Sequence, residues 1–389
     1  MKLFGFNIGK KEAEPLVQLT EHTFSNFAFS TPLGRISKES NLALPQVNKY
    51  FTLNDIVKFG SDNLYPQLLV QMYLTSAIQG SIIEFITNAV IGGGYEFTDK
   101  KLTASQVIEQ KTFEIKNKFA KNAKLLTRDY VIHRRVCVLI IKSDKGIISL
   151  KRLDPTTIRN SITGDKFAWS SDWSRGGTEM VTYEKYDKKK NQPLSLYVYQ
   201  DETPGQDIYP IPSYNSILNW AYLDGEQSFF HKCNIQNSVF PSAVIRRPKE
   251  FSSIDEIQKF KEEISSKTGA QNGGKLLVLT GNGFDDVPEF TPVSANSNDN
   301  LFTSTSKEIK ENICMAHSIN PSIIGVKVSG SLGNSQELEI SYSIFEKNVV
   351  MPFRKTMEEI FNDLLEIGNI KNSVEISNFQ IIDKQITKS

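Results

Sequence analysis

The sequence predicts an α+β chain: a mixed body, two long helical rods around a small insert, and a third long helix near the end. Three observations carry this. Between residues 67 and 200, runs rich in Val and Ile with strand-like patterning alternate with helix-periodic segments. Two helix-patterned stretches, 213–237 and 300–318, bracket a short strand–helix–strand unit. A third, 335–367, carries one apolar stripe from Leu338 through Tyr342, Phe345, Val349, Phe353, Met357, Ile360 and Phe361 to Leu364.

Taken in order, residues 1–45 are polar, punctuated by Pro15, Pro32 and Pro45, and are expected to form an extended arm. Residues 54–58 suggest a short turn, and Gly60-Ser-Asp-Asn-Leu-Tyr-Pro66 is a turn cluster. Helices are expected over 67–74 and 76–90, the second apolar almost all round and therefore buried, with Gly92-Gly-Gly94 as its stop. Residues 95–97 are a strand, 103–126 one helix, and 130–143 and 147–153 a strand pair turned by Asp144-Lys-Gly146. Asp154-Pro155 breaks the chain; strands follow over 166–173, 180–186 and 194–200. The first rod, 213–237, is about 35 Å long if fully helical. Strands at 242–246 and 275–280, with a charged amphipathic helix at 254–267, make a β-α-β insert with a small core. Asp285-Asp-Val-Pro-Glu289 is an acidic turn. The second rod leads into Asn320–Asn334, a loop of three glycines, three serines, two asparagines and Lys327, whose half from Ser329 offers only Leu332 for burial. Pro352, lacking an N–H, is expected to kink or divide the helix that follows. Residues 374–382 are a last strand.

Composition narrows the function classes. At 389 residues the chain exceeds what one core usually organises, so two or three domains or an elongated subunit are expected. Lys and Arg number 45 against 44 Asp and Glu, a net charge of +1, which argues against gripping nucleic acid by overall charge. Three scattered cysteines, Cys137, Cys233 and Cys314, form no framework and suggest a reducing compartment. No apolar run precedes Lys10, so no secretory signal is expected. No window approaches the roughly 18 apolar residues of a membrane span.

Candidate chemical sites are thin. Gly92–Gly94 lacks the Gly-Lys-Ser/Thr of a phosphate loop. His133 with Cys137, His231 with Cys233, and Cys314 with His317 each give two ligands where a metal site needs more. Asp285, Asp286 and Glu289 fit a solvated turn better than a cation site, and no nucleophile elbow supports hydrolysis. No catalytic residue, metal or cofactor is expected. A metal-dependent enzyme acting on DNA would need clustered carboxylates that the order of the chain does not display.

Several pieces resemble tailed-bacteriophage portal proteins, the head–tail connectors, over about 62–368. They are Asp62-Asn-Leu-Tyr-Pro66; Ile91-Gly-Gly-Gly94; Asn234 to Pro248; Gly269 to Gly281; Ile319-Asn-Pro-Ser-Ile-Ile-Gly325; and Ser329 to Glu337 with the helix reaching Met351-Pro-Phe353. The resemblance implies a portal fold: an N-terminal arm (1–45), a mixed wing (46–212), stem helices (213–237 and 300–318), and a clip (238–299). A tunnel loop (319–334), a core or crown helix (335–368) and a C-terminal strand and tail (369–389) complete it. It implies a non-enzymatic subunit of a twelve-membered ring at a capsid vertex, in the virion and, during assembly, in the host cytoplasm. Lys327, Ser329, Ser331 and Asn334 would face double-stranded DNA without base readout. Arg246, Arg247, Lys249, Asp285 and Asp286 would contact partners at the clip: the packaging ATPase (terminase) and the head–tail adaptor. The major capsid protein would surround the ring, and no membrane is involved. One lysine per tunnel loop suits a sliding surface, because each phosphate neutralised adds affinity. The alternative within this class is another virion structural protein, an adaptor or minor capsid component.

Overall fold

The computed structural model describes residues 52–53, 55–99, 101–143, 148–174, 180–237, 241–247, 254–255, 258–259, 262, 275–280, 296–325 and 335–377. Two short strands, β1 (Thr52–Leu53) and β2 (Ile56–Val57), pair antiparallel around Asp55, whose φ of 64° makes the tight turn. Helices α1 (Tyr65–Thr75) and α2 (Ala77–Ile91) follow, bent by 99° at Ser76. Pro66 sits in the first turn of α1, where its missing N–H costs nothing. Ser76 caps α2 by accepting from Gln79 N at 3.1 Å. Gly80 permits the bend, because a Cβ there would lie 2.7 Å from the Tyr73 carbonyl oxygen. As expected, α2 is buried on most sides, and Gly92 stops it. Among the described residues no single helix is long and apolar enough to cross a membrane.

The stretch expected to be one helix from 103 to 126 is two. A capping box from Thr103 and Gln106 starts α3 (Ala104–Asn117). Lys118 then takes a left-handed φ of 48°, and α4 (Phe119–His133) begins anew. The strand expected from 130 starts later, since α4 keeps Tyr130–His133 and Arg134, at φ 54°, makes the joint. His133 therefore ends α4, whereas Cys137 lies on the strand that follows. Strand β4 (Arg135–Lys142) is buried over most of its length and lies between β5 (Ile148–Leu153) and β9 (Leu194–Gln200), both antiparallel to it. A second antiparallel sheet joins β6 (Ile158–Asn160), β7 (Lys166–Trp169) and β8 (Val181–Glu184). Strand β3 (Tyr95–Phe97) pairs with β12 (Val374–Ile376).

The turn at 62–66 is held by a buried arginine. Arg159 donates from Nε to Asn63 Oδ1 and from Nη2 to the Asn63 carbonyl, both at 2.6 Å. Asn63 Oδ1 also accepts from Phe59 N at 2.9 Å. Burial lowers the Arg159 pKa to about 9, and its guanidinium lies 4.9 Å over the Trp173 ring.

A 3-10 turn (Ser213–Ile217) runs into α5 (Leu218–Asn237), which packs against α6 (Asn296–Ala316). Between them β10 (Pro241–Arg247) and β11 (Lys275–Thr280) pair in parallel, as a β-α-β unit requires. The last long element is α7 (Ser335–Phe345), a five-residue π-helical turn (Glu346–Val350), and α8 (Met351–Ile367). Pro352 thus divides the helix, with the irregularity placed in the turn before it rather than at the proline. The α8 stripe of Met357, Ile360, Phe361 and Leu364 fills the main core with α2 and α4, together with Tyr342 and Phe345 of α7. Leu338, expected to join it, is exposed.

Candidate functional site

The feature suited to function is the root of the 319–334 loop, where the rods meet the body. At the end of α6, Ser318 adopts φ 52°, and the amides of Ser318 and Ile319 close onto the carbonyls of Met315 and Cys314 at 2.9 and 3.0 Å. Ile319 is buried. Asn320 caps a 3-10 turn, Pro321–Ile324, by accepting from Ser322 N at 3.0 Å, and its Nδ2 donates to Ser341 Oγ of α7 at 3.3 Å. Gly325, at φ 81°, ends that turn. One side chain therefore ties both ends of the loop together.

A buried polar chain fixes this root to the body. His317 Nε2 lies 2.8 Å from Gln79 Oε1, which accepts its proton, and the His317 ring packs 5.0 Å from that of Tyr214. Ser76 Oγ, already capping α2, donates to Asp224 Oδ2 of α5 at 2.7 Å. Tyr214 Oη donates to the Ile132 carbonyl at 2.5 Å. Burial, with Arg134 adding to it, lowers the His317 pKa to about 3, so the ring is neutral. Of the residues in this chain only His317 was weighed from the sequence, as a thin metal ligand with Cys314. The available signal is Gln79, a polar residue one turn from the start of a mostly apolar helix.

Beyond the root the rods are under-covered. No described side chain of α5 from Tyr222 to Lys232 is buried, and Met315 on α6 is 71% exposed. Gln227 Nε2 donates to Ser306 Oγ at 2.6 Å between the rods. Lys327, Ser329, Ser331 and Asn334 lie outside the described residues, as do Lys249, Asp285, Asp286 and Glu289. Arg246 and Arg247 end β10, paired with Leu279 and Thr280, while their side chains lie outside the described residues. Among the described residues no three His, Cys, Asp or Glu side chains converge as metal ligands.

No protein-family model matches the chain. A curated "Probable portal protein" of Escherichia phage P2 is 22% identical over 170 residues, 43% of this chain and 48% of that protein. An uncharacterized protein of Rickettsia bellii is 23% identical over 144 residues, 36% of this chain and 35% of that one. The aligned segments thus span about half or less of these relatives. Among solved structures, a chain in the neck of an empty gene transfer agent particle, computed with C6 symmetry, superposes with TM-score 0.58 at 13% identity. It covers 84% of this chain and 87% of that one. A chain of the native gene transfer agent virion gives 0.53 at 14% identity, over 84% and 86% of the two chains. One from a native neck computed with C12 symmetry gives 0.52 at 13%, over 83% and 85%. The chain is portal-like in sequence, and its α+β fold is that of these particle-neck chains.

Proposed function

We propose that the chain is a portal subunit: a non-enzymatic ring component at a capsid vertex, through which double-stranded DNA is packaged and ejected. The observation that carries this is the fold shared with gene transfer agent neck chains over 84% of the chain. The portal match in sequence supports it, as does the absence of any buried side chain among the described residues of α5 from Tyr222 to Lys232. In this reading residues 46–212 are the wing, α5 and α6 the stem, β10 to β11 and the following acidic turn the clip, and α7–α8 the core or crown helix. Helix α6 begins at Asn296, so in this reading the second stem helix starts a few residues before 300.

The 319–334 loop then lines the channel, with Lys327, Ser329, Ser331 and Asn334 against the DNA. Arg246, Arg247, Lys249, Asp285 and Asp286 sit where the clip meets the packaging ATPase and the adaptor, the ring being set in the major capsid protein. Twelve copies close the ring, in the virion and, before that, in the host cytoplasm. Electron micrographs and mass measurements of the purified full-length chain test this. Closed rings with a central hole are expected; a chain that stays monomeric at every concentration and salt would sink the reading. Rings that bind purified portal rings rather than the packaging ATPase would point to the adaptor alternative.

A further inference from the structure

Two exposed patches at opposite ends of one rod complement each other. The rod is α7, its π-turn and α8, 335–367, about 50 Å if near-helical throughout. At its far end Gly368 packs against Phe113 on the inner face of α3. The outer face of α3 places Ile108, Lys111 and Ile115 in one stripe at helical spacing, with Ile115 79% exposed. Around it, residues 104–124 hold five exposed lysines against one exposed carboxylate, Glu109. None of those lysines is ion-paired among the described residues. At the near end, the outer face of α7 carries Glu337, Ile340 and Ile344 in an equivalent stripe, with Glu339 beside it and no lysine before Lys347. Ile340 is 61% exposed, whereas the opposite face of α7 is already buried through Tyr342 and Phe345.

We infer that these patches dock onto each other between copies, α7 of one subunit against α3 of the next. The occupant is a second copy for three reasons. Both faces are apolar at the centre, their flanking charges are of opposite sign, and within a chain the 335–367 element lies between them. Two different patches that fit each other repeat head to tail, the kind of contact that makes a ring when its rotation closes; a self-complementary patch would stop at a dimer. Opposite flanking charge also rejects the wrong pairings, α3 with α3 and α7 with α7. The inference rests on the ring reading above and names the surfaces that make it.

Cysteine cross-linking of the full-length chain tests it. Ile115→Cys and Ile340→Cys subunits, mixed and mildly oxidised, are expected to give a mixed dimer, with neither variant cross-linking alone. The double variant is expected to give a ladder up to the full ring. Lys111→Glu/Lys116→Glu is expected to raise the half-assembly concentration about tenfold, and adding Glu337→Lys/Glu339→Lys to restore it. Like-with-like cross-links would overturn the inference. So would rings that form in the wild type and in the variants alike, with no mixed cross-link and no effect of the charge reversals, which would leave the ring reading standing with α3 turned toward DNA or another capsid component. A wild-type chain that never assembles would overturn the ring reading itself.

Discussion

At the scale of single residues, two positions are decided by what surrounds them. Gly368 ends α8 at an ordinary φ of −73°, so its role is space: a Cβ would meet the Phe113 ring at 2.2 Å. Gly368→Ala is expected to lower stability by about 2 kcal/mol through overpacking. Gly93→Ala, with 3.5 Å to Ser377, is expected to leave it nearly unchanged, as urea unfolding would read. His317 sets a pH dependence. Burial holds its folded pKa near 3, below the usual 6.5, so the unfolded chain binds the extra proton between those values. Its contribution is complete above about pH 6.5 and is lost as pH falls toward 3, by up to about 1.4 kcal/mol per pH unit. Buried Asp129, raised to about 7 by burial against its 2.5 Å pairing with Arg152, slopes the other way. The difference between wild type and His317→Gln, measured by unfolding from pH 3 to 7, isolates the histidine; a flat difference would refute the assignment. Neither effect could be read from the sequence, because a glycine after a helix and a lone histidine each have many uses. The motif around Asn63 was visible as a turn, but not that Arg159, 96 residues later, holds it.

At the scale of elements, the rods, α2, β9, β11 and the parallel strand pair matched their periodicity because each is long, strongly patterned or flanked by clear stops. Errors fell where two left-handed residues, Lys118 and Arg134, do work usually done by glycine. A lysine or arginine inside a helical pattern gives no sign that the chain will turn there, so 103–126 read as one helix and Tyr130–His133 as strand. The long C-terminal helix was legible apart from the site of its irregularity. Just past it Arg354 is buried: its Nη2 donates to the Ala89 carbonyl at 2.9 Å and its Nε to the Val90 carbonyl at 3.3 Å, covering the end of α2. Glu346, in the π-turn, lies 3.7 Å from Nη1. A cation at a helix C-terminus satisfies carbonyls that the helix cannot. Arg354→Met is expected to cost about 3 kcal/mol, because it leaves those carbonyls and a part-buried carboxylate without their cation. Hydrogen exchange should then show the last turn of α2 opening before the rest; uniform loss of protection would count against this role.

At the scale of the whole molecule, the described residues are not all covered alike. The core of α1, α2, α4 and α8 is closed within one chain, whereas the described side chains of α5 from Tyr222 to Lys232 are half-buried or exposed and none is buried. Exposed Leu223 and Met315 would be liabilities on a monomer and become assets when copies stand side by side. If neighbours supply that cover, folding and assembly are linked by mass action, and apparent stability depends on protein concentration. The unfolding midpoint is expected to rise about 2 °C for each tenfold increase in concentration, where a self-contained monomer would show none. Met315→Asp separates the two contributions. At a position 71% exposed it should change the stability of the dilute, unassembled chain by less than about 0.5 kcal/mol. Covered by a neighbour, the same carboxylate would be left desolvated and unpaired, weakening assembly about tenfold or more and abolishing the concentration dependence. A midpoint independent of concentration in wild type, or assembly indifferent to Met315→Asp, would mean that the open sides of the rods face solvent in the working particle and that the ring is held by the body alone.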